Sequence, residues 1–192
     1  MKVLCIVILS LSLISCKKQQ MNKEELLVYI YDSENGISIL DSKAGIESVS
    51  TFKPSELIVY NELIRRPDYS RDSLTKVYNS SLFFEITLSG QIPPSIHSQI
   101  SKYVFNLSDY IQLVGGSGSI IELKDVQFPR LYGISGELMF LVAFDAEKVK
   151  NEETITLQIN DFGLGVGQFF HSYKLKDLTD LPKLDFSTII SV

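Results

Sequence analysis

Apolar and polar residues alternate with a period of two through much of the second half of the chain. From Leu82 to Leu88 every second residue is apolar, which predicts a half-buried strand. The segment 138–144 is apolar on both faces, so we expect it to form a central strand. Similar patterns predict further strands at 37–40, 46–52, 110–114, 119–124, 155–159 and 168–175.

Helical spacing is clearest at residues 54–66, where one proline opens the segment and another follows it. Its apolar residues recur on one stripe, at Leu57, Tyr60 and Ile64. Shorter helices are predicted at 71–79 and 96–106.

Strands therefore dominate the second half of the chain, without regular alternation with helices. This pattern favours an α+β domain whose core is an antiparallel β-sandwich, with one or two helices packed at its edge. A single antiparallel sheet covered by those helices is the alternative. At the two ends, residues 26–31 fit a strand or a short helix, and residues 176–192 are expected to form a tail.

The first sixteen residues differ from the rest of the chain. After Met1-Lys2, an uncharged run of apolar and serine residues extends from Val3 to Ile14, and Lys17-Lys18 follow closely. A membrane-spanning helix needs about 20 apolar residues, so this run is too short to be one. Its length and its flanks are those of the hydrophobic part of a secretory signal peptide.

The run ends in Leu13-Ile14-Ser15-Cys16. This segment resembles the lipobox of bacterial lipoproteins, in which an aliphatic and a small residue lead into a cysteine. The resemblance implies that residues 1–15 are removed and that Cys16 carries diacylglycerol and an N-acyl chain such as palmitate. Each buried CH₂ contributes roughly 0.8 kcal/mol, so more than one chain anchors a protein stably. An ordinary secretory peptide that ends in an incidental cysteine is the alternative.

The predicted organisation is a signal peptide at 1–15, the lipidated Cys16 with a polar tether at 16–24, and a single globular domain at 25–192. Hydrophobic residues make up 45% of the chain and charged residues 21%, a balance that excludes a disordered protein. Because Cys5 would leave with the signal peptide, the mature domain would contain no disulfide. The formal net charge of −5 argues against nucleic acid and anionic lipid as partners.

His97 and His171 are the only histidines in the chain. A zinc site would need both with a carboxylate, but the H-E-x-x-H spacing is missing. His171 alternates with Phe169 and Tyr173, so we expect it to point into the core, whereas His97 is expected to be exposed on a helix. No G-x-S-x-G elbow is present, and Gly133 to Gly136 has only part of that pattern. The sequence therefore predicts a protein without enzymatic activity, cofactor or metal.

Four other segments have alternative interpretations as ligand sites. Gly163 to Gly167 lacks the G-x-G-x-x-G spacing, so we expect a connection between strands rather than a phosphate loop. Gly115 to Gly118 is expected to be a flexible hairpin loop. Asp32 to Gly36 resembles part of a calcium loop, but its twelfth position is Lys43 rather than glutamate. Arg130 is expected at the surface beside an aromatic residue, with an anion clamp as the alternative.

Landmarks along most of the mature chain support a wider resemblance. They are Asn35-Gly36-Ile37, Phe52 to Val59 with Glu62-Leu63, Phe128 to Gly133 and Asp161 to Gly167. In these segments the chain resembles an uncharacterised family of bacterial outer-membrane lipoproteins, which implies a location but no activity. Lipoproteins retained in the inner membrane of some diderm bacteria have Asp after the acylated cysteine, where this chain has Lys17. The resemblance therefore favours the outer membrane. Surface-exported lipoproteins of some lineages have an acidic cluster near the cysteine, which residues 17–20 lack, so we expect the domain to face the periplasm, with exposure at the cell surface as the alternative.

These observations lead to one main functional expectation. The protein would be attached to the membrane through lipid on Cys16 and would act, without catalysis, as a binding or structural component of an envelope protein complex. The alternative is a lipoprotein that binds a glycan, peptide or lipid in a groove lined by aromatic side chains. A hydrolase of envelope polymers is a third possibility, since sequence spacing does not reveal carboxylate pairs.

Overall fold

The computed structural model describes residues 20–127, 137–187 and 189, without the side chains of residues 97–101 and 104. Its α-helices are α1 (Lys23–Tyr31), α2 (Ser55–Arg65), α3 (Arg71–Tyr78), α4 (Pro94–Phe105) and α5 (Leu175–Thr179). Its strands are β1 (Gln20–Met21), β2 (Ser38–Lys43), β3 (Ile46–Lys53), β4 (Ser81–Gly90), β5 (Ile111–Gly115), β6 (Ile120–Ile121), β7 (Leu123–Gln127), β8 (Leu138–Asp145), β9 (Thr154–Ile159), β10 (Phe169–Lys174) and β11 (Lys183–Leu184). Short 3₁₀ helices lie at Ser33–Asn35, Leu107–Asp109 and Ala146–Lys148.

Two antiparallel sheets pack against each other. The first has the strand order β2-β3-β4-β8-β7, and the second has the order β10-β9-β5-β6. The predicted α+β class with an antiparallel β-sandwich is confirmed, and the single-sheet alternative is wrong. The wholly apolar segment 138–144 is indeed an interior strand, β8, hydrogen-bonded to β4 on one side and to β7 on the other.

The core lies between the two sheets. Alternate residues of β4 and β9 point into it, and Phe84, Ile86 and Leu157 have no exposed surface. Phe162, between β9 and β10, is stacked on Phe140 with ring centroids 5.3 Å apart. Its φ of 52° is left-handed, a conformation that costs a non-glycine residue about 1–3 kcal/mol. Burial of its whole ring offsets this strain, at roughly 25 cal/mol for each Å² of apolar surface removed from water.

Helices α2 and α3 form a hairpin with a small apolar cluster of its own, made by Val59, Leu63 and Leu74. The sequence placed Ile64 on the buried stripe of α2, but its side chain is 54% exposed. One residue turns the helix by 100°, so packing on Leu74 selects Leu63 and leaves Ile64 outside. The predicted helices at 54–66, 71–79 and 96–106 correspond to α2, α3 and α4.

Both ends of the described chain are more ordered than the sequence suggested. Gln20 and Met21, expected in the tether, form β1, which pairs in parallel with β11 in the region expected to be a tail. Helix α1 begins at Lys23, with Asn22 and Glu25 forming a reciprocal capping box. The ordered domain therefore includes residues 20–24. Strands β1 and β11 are far apart in the sequence. No local pattern marks such a pairing, so the sequence did not indicate it.

The predicted strand at 119–124 is divided between the two sheets. Residues Ile120–Ile121 form β6 on the edge of the second sheet, and Leu123–Gln127 form β7 on the edge of the first sheet. The chain crosses from one sheet to the other at Glu122. A continuous apolar pattern does not show such a crossing, because both strands present alternate residues to the same core.

A close backbone contact at one end of β4 depends on glycine. Gly90 has a φ of +105°, and a Cβ there would lie 2.2 Å from the carbonyl oxygen of Gly45. We expect Gly90→Ala to lower the free energy of unfolding by more than about 2 kcal/mol, from backbone strain together with overpacking. The matched control is Gly118→Ala, whose φ is +85° but whose Cβ would meet nothing within 4 Å. Equal urea midpoints for the two variants would contradict this prediction.

No helix within residues 20–127 and 137–187 is long and apolar enough to cross a membrane.

Candidate functional site

A buried polar cluster joins the two sheets. Ser50 on β3 and His171 and Tyr173 on β10 are at most 1% exposed. The Ser50 Oγ lies 2.5 Å from His171 Nδ1, and it also contacts the Tyr173 hydroxyl. That hydroxyl donates a hydrogen bond of 2.9 Å to the Ser50 carbonyl oxygen. The prediction that His171 points into the core is confirmed.

One assignment of protons satisfies all three of these contacts. Tyr173 donates to the Ser50 carbonyl, the Ser50 hydroxyl donates to the Tyr173 oxygen, and His171 donates from Nδ1 to Ser50 Oγ. In a neutral imidazole this arrangement leaves Nε2 as an acceptor. Within the described residues, Nε2 of His171 and the buried Oγ of Ser48 have no hydrogen-bond partner.

Burial dominates the acid–base behaviour of this cluster. It lowers the pKa of His171 from 6.5 to about 4, because the charged imidazolium loses its hydration; Asp41 opposes this change and Lys43 adds to it. Burial also raises the pKa of the Tyr173 hydroxyl, an effect that the hydrogen bond from Ser50 partly opposes. At neutral pH both side chains are therefore uncharged.

The pairing of a serine hydroxyl with an imidazole has the composition of a nucleophile and its base. A nucleophile must reach its substrate, but neither Ser50 nor His171 has any exposed surface. The third member is a tyrosine, which cannot stabilise an imidazolium as a carboxylate does. The arrangement is therefore suited to holding the two sheets in register.

The Tyr173 hydroxyl can be tested by itself. We expect Tyr173→Phe to lower the free energy of unfolding by about 1–3 kcal/mol, because it removes two buried hydrogen bonds and preserves the ring packing. Urea denaturation measures the effect. Tyr69→Phe is the control, since Tyr69 is 45% exposed, and it should be near neutral. A Tyr173→Phe variant as stable as the parent would show that the cluster contributes no net stability.

A cleft opens where β2, the edge of the first sheet, packs beside β10, the edge of the second. We call it the edge cleft; its volume is about 490 Å³. It is lined by Tyr29, Glu34, Asn35, Gly36, Ile39, Ser172, Lys174, Asp177 and Asp180. These residues come from α1, the turn after it, β2, β10 and α5, so only the fold brings them together.

Charge and local geometry determine what the edge cleft can bind. Three carboxylates, on Glu34, Asp177 and Asp180, face one ammonium group on Lys174. The turn is fixed by the side chain of Asn35, which donates to the carbonyl of Tyr29 over 2.9 Å. With this polar lining, the cleft suits a polar ligand that bears an amino group better than an apolar lipid.

The acidic segment Asp32 to Gly36, considered for calcium, forms a capped turn. The Oδ1 of Asp32 accepts from the backbone N–H of Glu34 over 3.0 Å, and Gly36 ends the turn with a φ of 68°. Within residues 20–127 and 137–187, no three His, Cys, Asp or Glu side chains are grouped so that they could hold a metal ion.

In both glycine-rich segments, a carboxylate side chain of the protein accepts hydrogen bonds from backbone N–H groups. The carboxylate of Asp161 accepts from the N–H groups of Gly163 and Gly167, over 3.0 Å each, in the connection between β9 and β10. Glu152 accepts from the N–H and hydroxyl of Ser117 in the turn between β5 and β6, and these bonds lower the pKa of its carboxyl group. The expected connection between strands is confirmed at 163–167, and the Asp161 carboxylate occupies the N–H groups of Gly163 and Gly167.

No pattern in the sequence indicated that Lys53 would be buried. Lys53, at the end of β3, is only 6% exposed, and its Nζ lies 3.1 Å from Glu85 Oε1 and 4.2 Å from the centroid of the Tyr31 ring. The Tyr31 hydroxyl donates to the same carboxylate oxygen over 3.0 Å. The group ties α1 to β3 and β4, so its evident role is to fix the helix on the sheet.

Several residues singled out from the sequence lie outside the described part of the structure. Cys16, the lipobox and the tether up to residue 19 are among them, as are Arg130 and the segment Gly133 to Gly136. The backbone of His97 belongs to α4, but its side chain is outside the description. The lipidation of Cys16 and the anion clamp at Arg130 therefore stay predictions.

The sequence matches no protein-family model and no curated protein. Two solved structures are similar to this chain over most of their own length. A protein of unknown function from Burkholderia pseudomallei is 9% identical, with a TM-score of 0.43, over 82% of this chain and 90% of the other. A DUF4426 family protein from Pseudomonas aeruginosa is 10% identical, with a TM-score of 0.39, over 72% of this chain and 94% of the other. The resemblance to outer-membrane lipoproteins stays a prediction.

Proposed function

We propose that this protein is a lipoprotein of the bacterial outer membrane, anchored by lipid on Cys16 with its domain facing the periplasm. The domain acts without catalysis, as a binding component of an envelope protein complex. The main support is the position of the lipobox relative to the fold. Cys16 precedes β1 by only four positions, so at about 3.3–3.6 Å per residue the lipid-bearing residue lies within about 14 Å of the domain.

Burial of the candidate nucleophile and base supports a function without catalysis. Ser50 and His171, which have the chemistry of a nucleophile and a base, are enclosed between the sheets. A non-enzymatic binding function should therefore survive replacement of His171, provided that the variant still folds. Loss of binding in a folded His171→Gln variant would count against this part of the proposal.

The edge cleft favours a second candidate, a lipoprotein that binds a polar ligand. Its three carboxylates and its volume of about 490 Å³ fit an amino-bearing peptide or amino sugar rather than an acyl chain. The doubly changed variant Glu34→Gln with Asp177→Asn tests the cleft, and Asp68→Asn with Asp72→Asn is the control on exposed acids elsewhere. A ligand that raises the Tm of the parent and the control, but not of the cleft variant, would support this candidate. A flat screen over envelope peptides and glycans would reject it.

Crosslinking in intact envelopes tests the main proposal. The full-length protein is tagged at its C-terminus, crosslinked and captured, with the Cys16→Ala variant as the control. The intact mass of the captured protein is then measured to detect acyl chains. We expect acyl chains on Cys16 and one partner protein that is recovered only from the anchored form. An unacylated mature protein would reject the anchor, and an acylated protein without a specific partner would reject the complex.

A further inference from the structure

Two buried polar atoms remain unpaired between β3 and β10. Among the atoms that the structure describes, neither the Oγ of Ser48 nor the Nε2 of His171 has a hydrogen-bond partner. Both residues are completely buried. Because an unpaired polar atom in a protein interior destabilises the fold, native proteins pair nearly all such atoms with protein groups or with ordered water. These two atoms therefore need a partner.

Contacts at the first residue of β10 show where that strand starts relative to β3. The ring centroid of Phe169, which begins β10, lies 5.1 Å from the Nζ of Lys43. Lys43 is in turn the strand partner of Ile46, which begins β3. The start of β10 therefore lies near the start of β3.

Contacts at the other end of β10 place His171 opposite Ser48. The hydroxyl of Tyr173 contacts both the side chain and the carbonyl oxygen of Ser50. Ser48 is midway between the two contacted positions of β3, and His171 is midway between the two contacted positions of β10. Since alternate residues of a strand share a face, Ser48 and His171 both point into the space between the sheets.

The orientation of the imidazole agrees with this placement. Its Nδ1 lies 2.5 Å from the Ser50 Oγ, so the opposite ring nitrogen, Nε2, is left for another group. The pKa of His171, which burial lowers, is raised by the carboxylate of Asp41, the strand partner of Ser48. The ring thus lies on the side of Ser50 where Ser48 is found.

We propose that one water molecule is bound between Nε2 of His171 and Oγ of Ser48 and joins β10 to β3. The water donates one proton to Nε2 and accepts the proton of the Ser48 hydroxyl. A bridging water is nearly as favourable in enthalpy as a direct hydrogen bond, so both buried atoms are satisfied. This water site is independent of the proposed lipidation of Cys16.

The chemistry of the two atoms favours water over other small ligands. An anion would not bind Nε2, because in the arrangement of protons given above this nitrogen has no proton to donate. A metal ion needs more ligands, and within residues 20–127 and 137–187 no three His, Cys, Asp or Glu side chains are grouped to supply them. An apolar molecule would leave both atoms unpaired.

A crystal structure of the full-length protein at neutral pH, at a resolution that shows ordered water, tests the site directly. We expect one peak of electron density within about 2.7–3.2 Å of both Ser48 Oγ and His171 Nε2. A direct hydrogen bond between these two atoms, or the lack of a peak within reach of both, would overturn the proposal.

A double-mutant cycle in urea tests the same bridge in solution. We expect the loss of unfolding free energy in Ser48→Ala with His171→Gln to be smaller than the sum of the two single losses, because either change alone already removes the shared water. The control is Ser42→Ala, since Ser42 is exposed on β2, and its effect should add to that of His171→Gln. Additive losses for Ser48 and His171 would show that they share no water.

Discussion

Lowering the pH from neutral to about 4 is expected to destabilise this fold by about 3 kcal/mol through one side chain, His171. Burial lowers the pKa of the folded imidazole to about 4, whereas the ordinary value of 6.5 applies to the unfolded chain. Between these values the unfolded chain binds a proton that the folded protein does not, so stability falls as the pH falls. Above pH 6.5 both states are neutral, and this contribution to stability is fully present.

Two measurements separate this effect from the titration of carboxylates. Urea denaturation at a series of pH values should show a shallower loss of stability below pH 6.5 in His171→Gln than in the parent. Proton NMR of the folded parent should show one histidine that remains neutral until about pH 4. If His171 titrated near 6.5 in the intact fold, the predicted loss of stability at acid pH would not occur.

Truncation of Phe84 is expected to give the largest single packing effect. Its side chain has no exposed surface, and its ring centroid lies 5.2 Å from that of Tyr173, 5.5 Å from Phe52 and 6.2 Å from Phe144. We expect Phe84→Ala to cost about 3–5 kcal/mol, from lost apolar burial and from the cavity between the sheets. That is a large part of the total stability of an ordinary domain, and the midpoint of urea unfolding should fall accordingly.

The control for Phe84 is Phe170 on β10, which points away from the core and is 50% exposed. Phe170→Ala removes the same number of atoms, but it opens no internal cavity, so its cost should stay below about 1 kcal/mol. Similar losses in the two variants would mean that the inner faces of the sheets are not tightly packed around Phe84.

The sequence by itself determined the elements whose pattern is local. Alternation in β4, β9 and β10 indicated half-buried strands, because successive side chains of a strand point to opposite faces. The apolar segment of β8 indicated an interior strand, and the spacing in α2 indicated a helix packed on one side. Alternation also placed His171 in the core. Cys16 is different, since its assignment depends on a resemblance and remains a prediction.

Only the tertiary structure decided which distant residues meet. The contact of Ser50 with His171 joins strands of different sheets, and the edge cleft combines Glu34 with Asp177 across most of the chain. Parallel pairing of β1 with β11 made an apparent tether and an apparent tail part of the domain. Local periodicity reports only how a segment divides its residues between inside and outside. Which segments become neighbours depends on sheet order and strand register, which no local pattern specifies.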